Sequence, residues 1–160
     1  MNIFHELGLK ENTDRINEEI IYNTAHAYTF IDAFVGQLLS AYKLSTAKFN
    51  ILMVVKHIGS EKGLSQHEIS KLLFVTTSNM TRMIDKLEKS GYVKRINQEG
   101  DRRVNLIKIT KEGSELLDAI WPHYKDRVDK LMESQFSKTE KHQLNKLIEK
   151  FKRVVKVGIA

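Results

Sequence analysis

The sequence lacks cysteine altogether and has a single proline, Pro122, among its 160 residues. Without thiols the chain can form no disulfide, no thiolate zinc site and no cysteine nucleophile or redox switch. It also lacks the basic start and apolar stretch of a secretory signal, and no apolar run approaches the roughly 20 residues that span a membrane. We therefore expect a cytoplasmic protein with no membrane partner, long enough for one domain with a substantial core.

Catalytic signatures are missing as well. The chain has no Gly-rich phosphate loop, H-E-x-x-H metal motif or nucleotide-binding fingerprint. Ser45 and Lys48 fit the S-x-x-K spacing of penicillin-binding enzymes, but the partner motifs are absent and helix capping accounts for Ser45. We therefore expect no enzymatic activity and no cofactor.

Metal binding is a weaker alternative. The six histidines are His5, His26, His57, His67, His123 and His142. None of them stands four residues from another, the spacing that places two ligands on one helix face, and no cysteine assists them. A metal-responsive regulator stays open as an alternative, although we expect no metal site.

What the chain does have is an uneven distribution of charge. Residues 1–42 carry two basic and six acidic side chains, whereas residues 43–110 carry thirteen basic and six acidic ones. A concentrated basic region in a chain with a pI near 9.4 indicates a polyanionic partner, most often nucleic acid. A solvated lysine-rich surface would account for the same charge equally well.

Amphipathic helices are predicted at both ends of the chain. From about residue 14 to 42, apolar residues recur at helical spacing in a stripe wider than one small domain easily covers. Residues 111–136 and 137–157 give two further helices, the last opening with Ser137 and Glu140 in capping-box spacing. Pro122 removes a backbone donor, which predicts a kink near residues 118–121.

The middle of the chain reads as a helix-turn-helix. A helix with Ser45 as its N-cap and Gly59 as its stop precedes a short helix opened by the capping box of Ser65 and Glu68. The run TTSNMTRMIDKLEKSG follows almost at once, from a threonine cap to Gly91, and two amphipathic helices this close together are typical of the motif. In that run Met80, Met83, Ile84 and Leu87 share one face, and the polar side chains Ser78, Asn79, Arg82, Lys86 and Lys89 lie away from it.

A hairpin completes the pattern, because the strands YVKRIN and RVNLIKIT flank the turn QEGD. A helix-turn-helix followed by a hairpin is a winged helix, and residues 65–110 resemble the DNA-binding segment of the MarR (multiple antibiotic resistance regulator) family. That family's hairpin motif, D-x-R-x-x-x-L-x-L-T, is filled here by Asp101, Arg103, Ile107, Ile109 and Thr110. Alternation should turn Ile107 and Ile109 to one face and anchor the hairpin on the core.

The resemblance covers nearly the whole chain and implies a mainly α fold with a small β-wing. Residues 1–160 would form a single MarR-type domain, with a winged helix-turn-helix lobe at 43–110 between dimerisation helices at 1–42 and 111–160. Such a protein would be a homodimeric, sequence-specific transcriptional repressor of a pseudo-palindromic double-stranded operator, released by a small-molecule effector. The alternative is a helical homodimeric interaction module, which would leave the basic central span without a purpose.

Candidate DNA contacts follow from the residue types. Arg82 is the strongest, since a guanidinium bonds guanine bidentately, and the alternative for it is a surface ion pair with Asp85. The resemblance assigns Arg103 to the minor groove, where narrow A·T tracts attract arginine, and Asp101 to holding the wing's arginines. Short polar residues and lysine suit bases or phosphates. The full expected set is Ser65, Gln66, Thr76, Thr77, Ser78, Asn79, Thr81, Arg82, Lys86, Arg95, Asp101, Arg102 and Arg103.

Aromatic residues near the two chain ends bear on the effector. They are Tyr22, Tyr28, Phe30, Phe34, Trp121 and Tyr124. They would suit the lining of a small-molecule pocket, but we expect core packing for most of them. No effector-binding residue is assigned from the sequence.

Overall fold

The computed structural model describes residues 15–73, 76–98 and 101–158 of the chain, which are mainly helical with one small antiparallel sheet. The elements are α1 (Ile16–Ser40), α2 (Thr46–His57), β1 (Leu64–Ser65), α3 (Gln66–Leu73), α4 (Thr77–Lys89), β2 (Val93–Gln98), β3 (Asp101–Ile109), α5 (Lys111–Glu133) and α6 (Lys138–Gly158). The expected fold class and order of elements are confirmed, with β1 as an addition. No helix in these ranges is long and apolar enough to cross a membrane.

The chain divides into two compact units, Met1–Ile120 and Trp121–Ala160. The first contains the elements from α1 to β3 and the start of α5. The second contains the remainder of α5 and all of α6. Helix α5 continues on both sides of Pro122, and the expected kink there stays a prediction.

Helix α2 begins and ends where its sequence predicts. The side chain of Ser45 accepts a hydrogen bond from the backbone N–H of Lys48 at 3.4 Å, which satisfies a donor that the first helical turn leaves open. At the other end, a Cβ on Gly59 would lie 2.6 Å from the backbone oxygen of Val55, so only glycine fits this close turn. Capping therefore sets both ends of α2.

The core of the first unit lies where the end of α1, α2, α3 and α4 meet the sheet and the start of α5. Its fully buried large side chains are Leu39, Ile51, Leu52, Val55, Ile69, Met80, Ile84, Leu87, Val93, Ile107 and Ile120. Burial of each such side chain is favourable by about 1.5–3 kcal/mol. The helix-turn-helix and the hairpin are thus packed on one common core.

The sheet has the strand order β1-β3-β2, with both pairs antiparallel. Leu64 of β1 pairs with Ile107, and Val93 of β2 pairs with Ile109. Ile107 is 1% exposed and Ile109 is half-buried, which confirms the expected anchoring face of the hairpin. Towards the tip, the register shifts between Asn97 and Gln98.

A tight turn connects α4 to β2. The N–H of Gly91 donates to the backbone oxygen of Glu88 at 2.9 Å, and the N–H of Tyr92 donates to the backbone oxygen of Leu87 at 3.0 Å. These two backbone hydrogen bonds form a Schellman motif, and Gly91 has the positive φ of 77° that the motif requires. Because these bonds join the residues before β2 to the last turn of α4, they fix the direction in which β2 begins.

Large apolar surfaces stay uncovered in the single chain. On α1, Ile16 is 60% exposed and Ile31 is 57% exposed, and α6 has no buried residue. The expectation that most of the named aromatic residues pack in a core is wrong for the part of the chain described. Exposed are Tyr22, Tyr28, Phe30 and Trp121, and half-buried are Phe34 and Tyr124. The four exposed side chains therefore do not belong to the core of the single chain.

Candidate nucleic-acid interface

Helix α4 presents two different faces. Met80 and Ile84 are fully buried and Leu87 is 1% exposed, which fastens one face to the core. The exposed residues on the remaining surface include Ser78, Asn79, Arg82, Asp85, Lys86 and Lys89. The helix therefore offers solvent a row of side chains that can bond base edges and phosphates.

The start of α4 carries the predicted threonines. Thr76 occupies the N-cap position with extended backbone (φ −62°, ψ 146°) and is exposed. Its side chain makes no capping hydrogen bond. Thr76 therefore stands at the predicted cap position but does not cap the helix through its hydroxyl. The backbone of Thr77 opens the helix, and its side chain lies outside the described part of the structure.

Arg82 is exposed, and it has no ion-pair partner among the side chains that the structure describes, which leave out those of residues 77, 98 and 101–104. The sequence left open a surface pair with Asp85, three residues further along α4. In the structure, the Asp85 carboxylate bonds Arg95 of β2 instead, with 2.5 Å between Oδ1 and Nη2. The guanidinium of Arg82 is therefore available to a partner in solution.

Arg95 makes contacts that sequence reasoning missed. Its backbone N–H donates to Glu88 Oε1 at 3.0 Å, and its guanidinium bonds the other carboxylate oxygen of Glu88 as well as Asp85. Burial by itself would lower the pKa of Arg95, but the bonds to Asp85 and Glu88 outweigh this and raise the pKa above its ordinary value. Arg95 thus joins β2 to α4, and its expected contact with DNA stays a prediction.

The start of α3 lies beside α4. The N–H and hydroxyl of Ser65 both donate to Glu68 Oε2 at 2.8 Å, and the N–H of Glu68 donates to Ser65 Oγ at 3.3 Å. These bonds confirm the capping box, and they lower the pKa of Glu68, the backbone N–H having the larger effect. Gln66 Nε2 donates to Thr81 Oγ1 at 2.5 Å, so two predicted phosphate contacts from different helices adjoin each other.

The predicted wing residues Asp101, Arg102 and Arg103 lie in β3, where their backbone is described. Their side chains lie outside the described part of the structure, so the contacts predicted for them stay predictions. The strand that carries them is held at its far end by the buried Ile107.

The described histidines are His26, His57, His67, His123 and His142. Within the described ranges, no group of three or more His, Cys, Asp and Glu side chains is placed to hold a metal ion. His5 lies outside those ranges. The metal-responsive alternative therefore gains no support from the described residues.

The sequence of the chain is similar to known transcriptional regulators. Residues 44–104 match the model of the MarR family. The chain is 30% identical over 129 residues to the HTH-type transcriptional regulator PecS of Dickeya dadantii, a match that covers 81% of this chain and 77% of PecS.

Solved structures show the same fold. A mutant MarR from E. coli complexed with operator DNA superposes with a TM-score of 0.77 at 21% identity, covering 88% of this chain and 99% of that one. CouR from Rhodococcus jostii bound to p-coumaroyl-CoA superposes with a TM-score of 0.73 at 19% identity, covering 87% and 95%. With its winged helix-turn-helix and its similarity to PecS, the chain belongs to the MarR family of transcriptional regulators.

Proposed function

We propose that this chain is a sequence-specific DNA-binding repressor that acts as a homodimer on a pseudo-palindromic operator. The observation that carries the proposal is the exposed polar face of α4, where Asn79, Arg82 and Lys86 lie opposite the buried Met80 and Ile84. A helix with such a face fits the major groove, where base edges present distinguishable donors and acceptors. The relative complexed with operator DNA supports the same class of partner.

Within that interface, different residues take different roles. Arg82 bonds guanine, and Thr77, Ser78 and Asn79 share the reading of bases from the first turns of α4. Ser65, Gln66, Thr81 and Lys86 contact phosphates, which position the protein without specifying sequence. Thr76 completes the phosphate-facing rim, whereas the guanidinium of Arg95 is bonded to Asp85 and Glu88.

The wing adds a second groove contact. Arg103 enters the minor groove beside the site read by α4, and Arg102 reaches the adjacent backbone. Asp101 holds these arginines in place. Arg103→Ala distinguishes the roles: a large loss of DNA affinity in a normally folded dimer supports the groove contact, whereas loss of wing order alone supports a bracing role.

Homodimer formation is supported by the uncovered apolar residues of α1 and α6. A single chain that leaves Ile16 and Ile31 more than half exposed presents a surface of the kind that protein interfaces cover. Residues 1–42 and 111–160 would form the interface, so the whole chain works as one MarR-type domain. Two lobes would then read half-sites about 10 base pairs apart.

A small-molecule effector would act through the spacing of the lobes. CouR of Rhodococcus jostii, which has the same fold, is bound to p-coumaroyl-CoA, and this supports a small-molecule ligand as the effector that we propose. A ligand that prefers a dimer geometry unfit for the operator would shift the population away from DNA. As a regulator of this kind acts on the chromosome, we propose that the protein is cytoplasmic.

The test begins with selection of bound fragments from genomic DNA. The selected duplex and a scrambled duplex of equal length are then titrated at two salt concentrations. We expect both to bind more weakly at the higher salt concentration, with the selected duplex preferred by at least about a thousandfold near physiological salt. Weak, salt-insensitive binding of both duplexes would contradict the proposal and favour a helical interaction module.

A further inference from the structure

Asp85 stands between two arginines of different elements. Arg82 precedes it by three residues on α4, and side chains three apart are neighbours on a helix surface. Arg95 approaches from β2 and bonds Asp85 Oδ1 at 2.5 Å. The carboxylate therefore has potential cationic partners on its own helix, Arg82 and, four residues further on, Lys89, and in the structure it bonds Arg95 of the hairpin.

Arg95 is better placed than Arg82 to bond the Asp85 carboxylate. Its side chain is 26% exposed, whereas that of Asp85 is 56% exposed, so the arginine is the more firmly enclosed of the two. Glu88 holds Arg95 in place through both the backbone N–H and the guanidinium. A guanidinium already oriented by one carboxylate loses little further conformational freedom when it bonds a second. Arg82, exposed and flexible, would lose more to form the same pair.

We infer that Arg95 is a positioning residue for base reading, because it holds the Asp85 carboxylate away from Arg82 and so leaves the Arg82 guanidinium free to bond guanine. The inference rests on the proposed function, and it assigns Arg95 an effect exerted through Asp85. This differs from a phosphate contact, in which Arg95 would touch DNA itself.

A released Asp85 would interfere with reading in two ways. Its carboxylate would pair with Arg82 and compete with the guanine acceptors O6 and N7 for the same donors. It would also face the major groove as an uncompensated acceptor, which repels those guanine acceptors and instead suits the amino group of cytosine. Both effects lower discrimination between the correct and the wrong base pair while leaving the phosphate contacts of other residues intact.

The experiment compares three variants of the full-length chain: Arg95→Gln, Asp85→Asn and the double variant. Each is titrated on the selected operator duplex and on a scrambled duplex over a range of salt concentrations. Lys94→Gln serves as the matched control, since it removes one positive charge from an exposed neighbouring position on β2. Thermal unfolding of every variant reports whether the fold is retained, and Arg95→Lys replaces Arg95→Gln if the latter does not fold.

We expect Arg95→Gln to lose about tenfold or more in discrimination, the order of one bidentate guanine contact. Asp85→Asn alone should keep discrimination, and adding it to Arg95→Gln should restore it, because the amide carries no charge to capture Arg82. A double variant as poor as Arg95→Gln, or an Arg95→Gln protein that discriminates like the wild type, would overturn the inference. Loss of affinity for both duplexes alike, with a shallower salt dependence, would overturn it in favour of a phosphate contact. Absence of discrimination in the wild-type protein would instead be a failure of the proposed function.

Discussion

The hydroxyl of Thr110 donates a hydrogen bond to the backbone oxygen of Gly91 at 2.6 Å. The same hydroxyl oxygen accepts a bond from the N–H of Gly113 at 3.0 Å. One side chain thereby joins the turn after α4, the end of β3 and the first turn of α5. Thr110 is also the last residue of the wing motif, and these bonds are a physical reason for a hydroxyl at that position.

Removal of this hydroxyl should destabilise the fold. Thr110→Val keeps the shape of the side chain but leaves the N–H of the buried Gly113 without its cap. We expect the free energy of unfolding to fall by about 1–2 kcal/mol, as for the loss of an N-cap whose partner N–H is buried. Urea denaturation measures this, and Thr110→Ser, which keeps the hydroxyl, should lose much less. Equal stability of the valine variant and the wild type would contradict a bracing role.

Gly113 itself should not tolerate a side chain. A Cβ at this position would lie 2.1 Å from the backbone oxygen of Tyr92, so the helix or the turn must move. Gly113→Ala should therefore lower the free energy of unfolding by about 1–3 kcal/mol, the usual cost of overpacking. Gly36→Ala is the control, because a Cβ there meets nothing closer than Thr46 Oγ1 at 3.8 Å. Alanine at that helical site should stabilise by up to about 1 kcal/mol, and a stabilised Gly113→Ala protein would contradict this packing.

The capping box of α3 should make stability depend on pH. Since bonds from the backbone N–H and hydroxyl of Ser65 lower the pKa of Glu68 below its ordinary value of 4.5, the folded state favours the ionised carboxylate. That contribution is complete above the ordinary value and is lost as the pH falls through the lowered pKa. Glu68→Gln should thus be less stable than the wild type at pH 7, with the difference shrinking below about pH 4.5. A difference for Glu68→Gln that stays constant as the pH falls would contradict the bonding.

Dimer formation should depend on the uncovered face of α1. Ile31 is 57% exposed in the single chain, and Ile31→Asp would bring an unpaired charge into the interface that we propose for this helix. Sedimentation equilibrium should then report a shift from dimer towards the 18.5 kDa monomer. Asn23→Asp adds the same charge at an exposed polar position of α1 and should stay dimeric. A monomeric wild-type protein, or an unaffected Ile31→Asp dimer, would refute the assigned interface.

Much of the fold is predictable from the sequence, because the spacing of apolar residues indicates which face of each helix or strand is buried. The helical spacing of Met80, Ile84 and Leu87 predicted the buried face of α4, and alternation predicted the burial of Ile107 in β3. Strand β1 escaped prediction because Leu64 and Ser65 are too few residues for any period, and only pairing with β3 orders them as a strand.

The site was less predictable than the fold. Candidates on α4 could be read from the helical face, but the partners of Arg95 stand seven and ten residues away on another element. The turn at Gly91 brings these groups together, and the sequence predicts that α4 ends there but not which side chains then meet. Sequence reasoning therefore identified Arg95 as a cation near DNA and missed its bonds to Asp85 and Glu88.

The central claim is that the exposed face of α4 reads bases through Arg82. In vitro selection with wild type, Arg82→Ala and Lys89→Ala tests it most directly, since Lys89 is an equally exposed cation at the end of the same helix. We predict that Arg82→Ala loses its preference at one base pair of each half-site by about 1–3 kcal/mol, while Lys89→Ala keeps the wild-type preference. An Arg82→Ala protein with the wild-type preference at every position would contradict the claim.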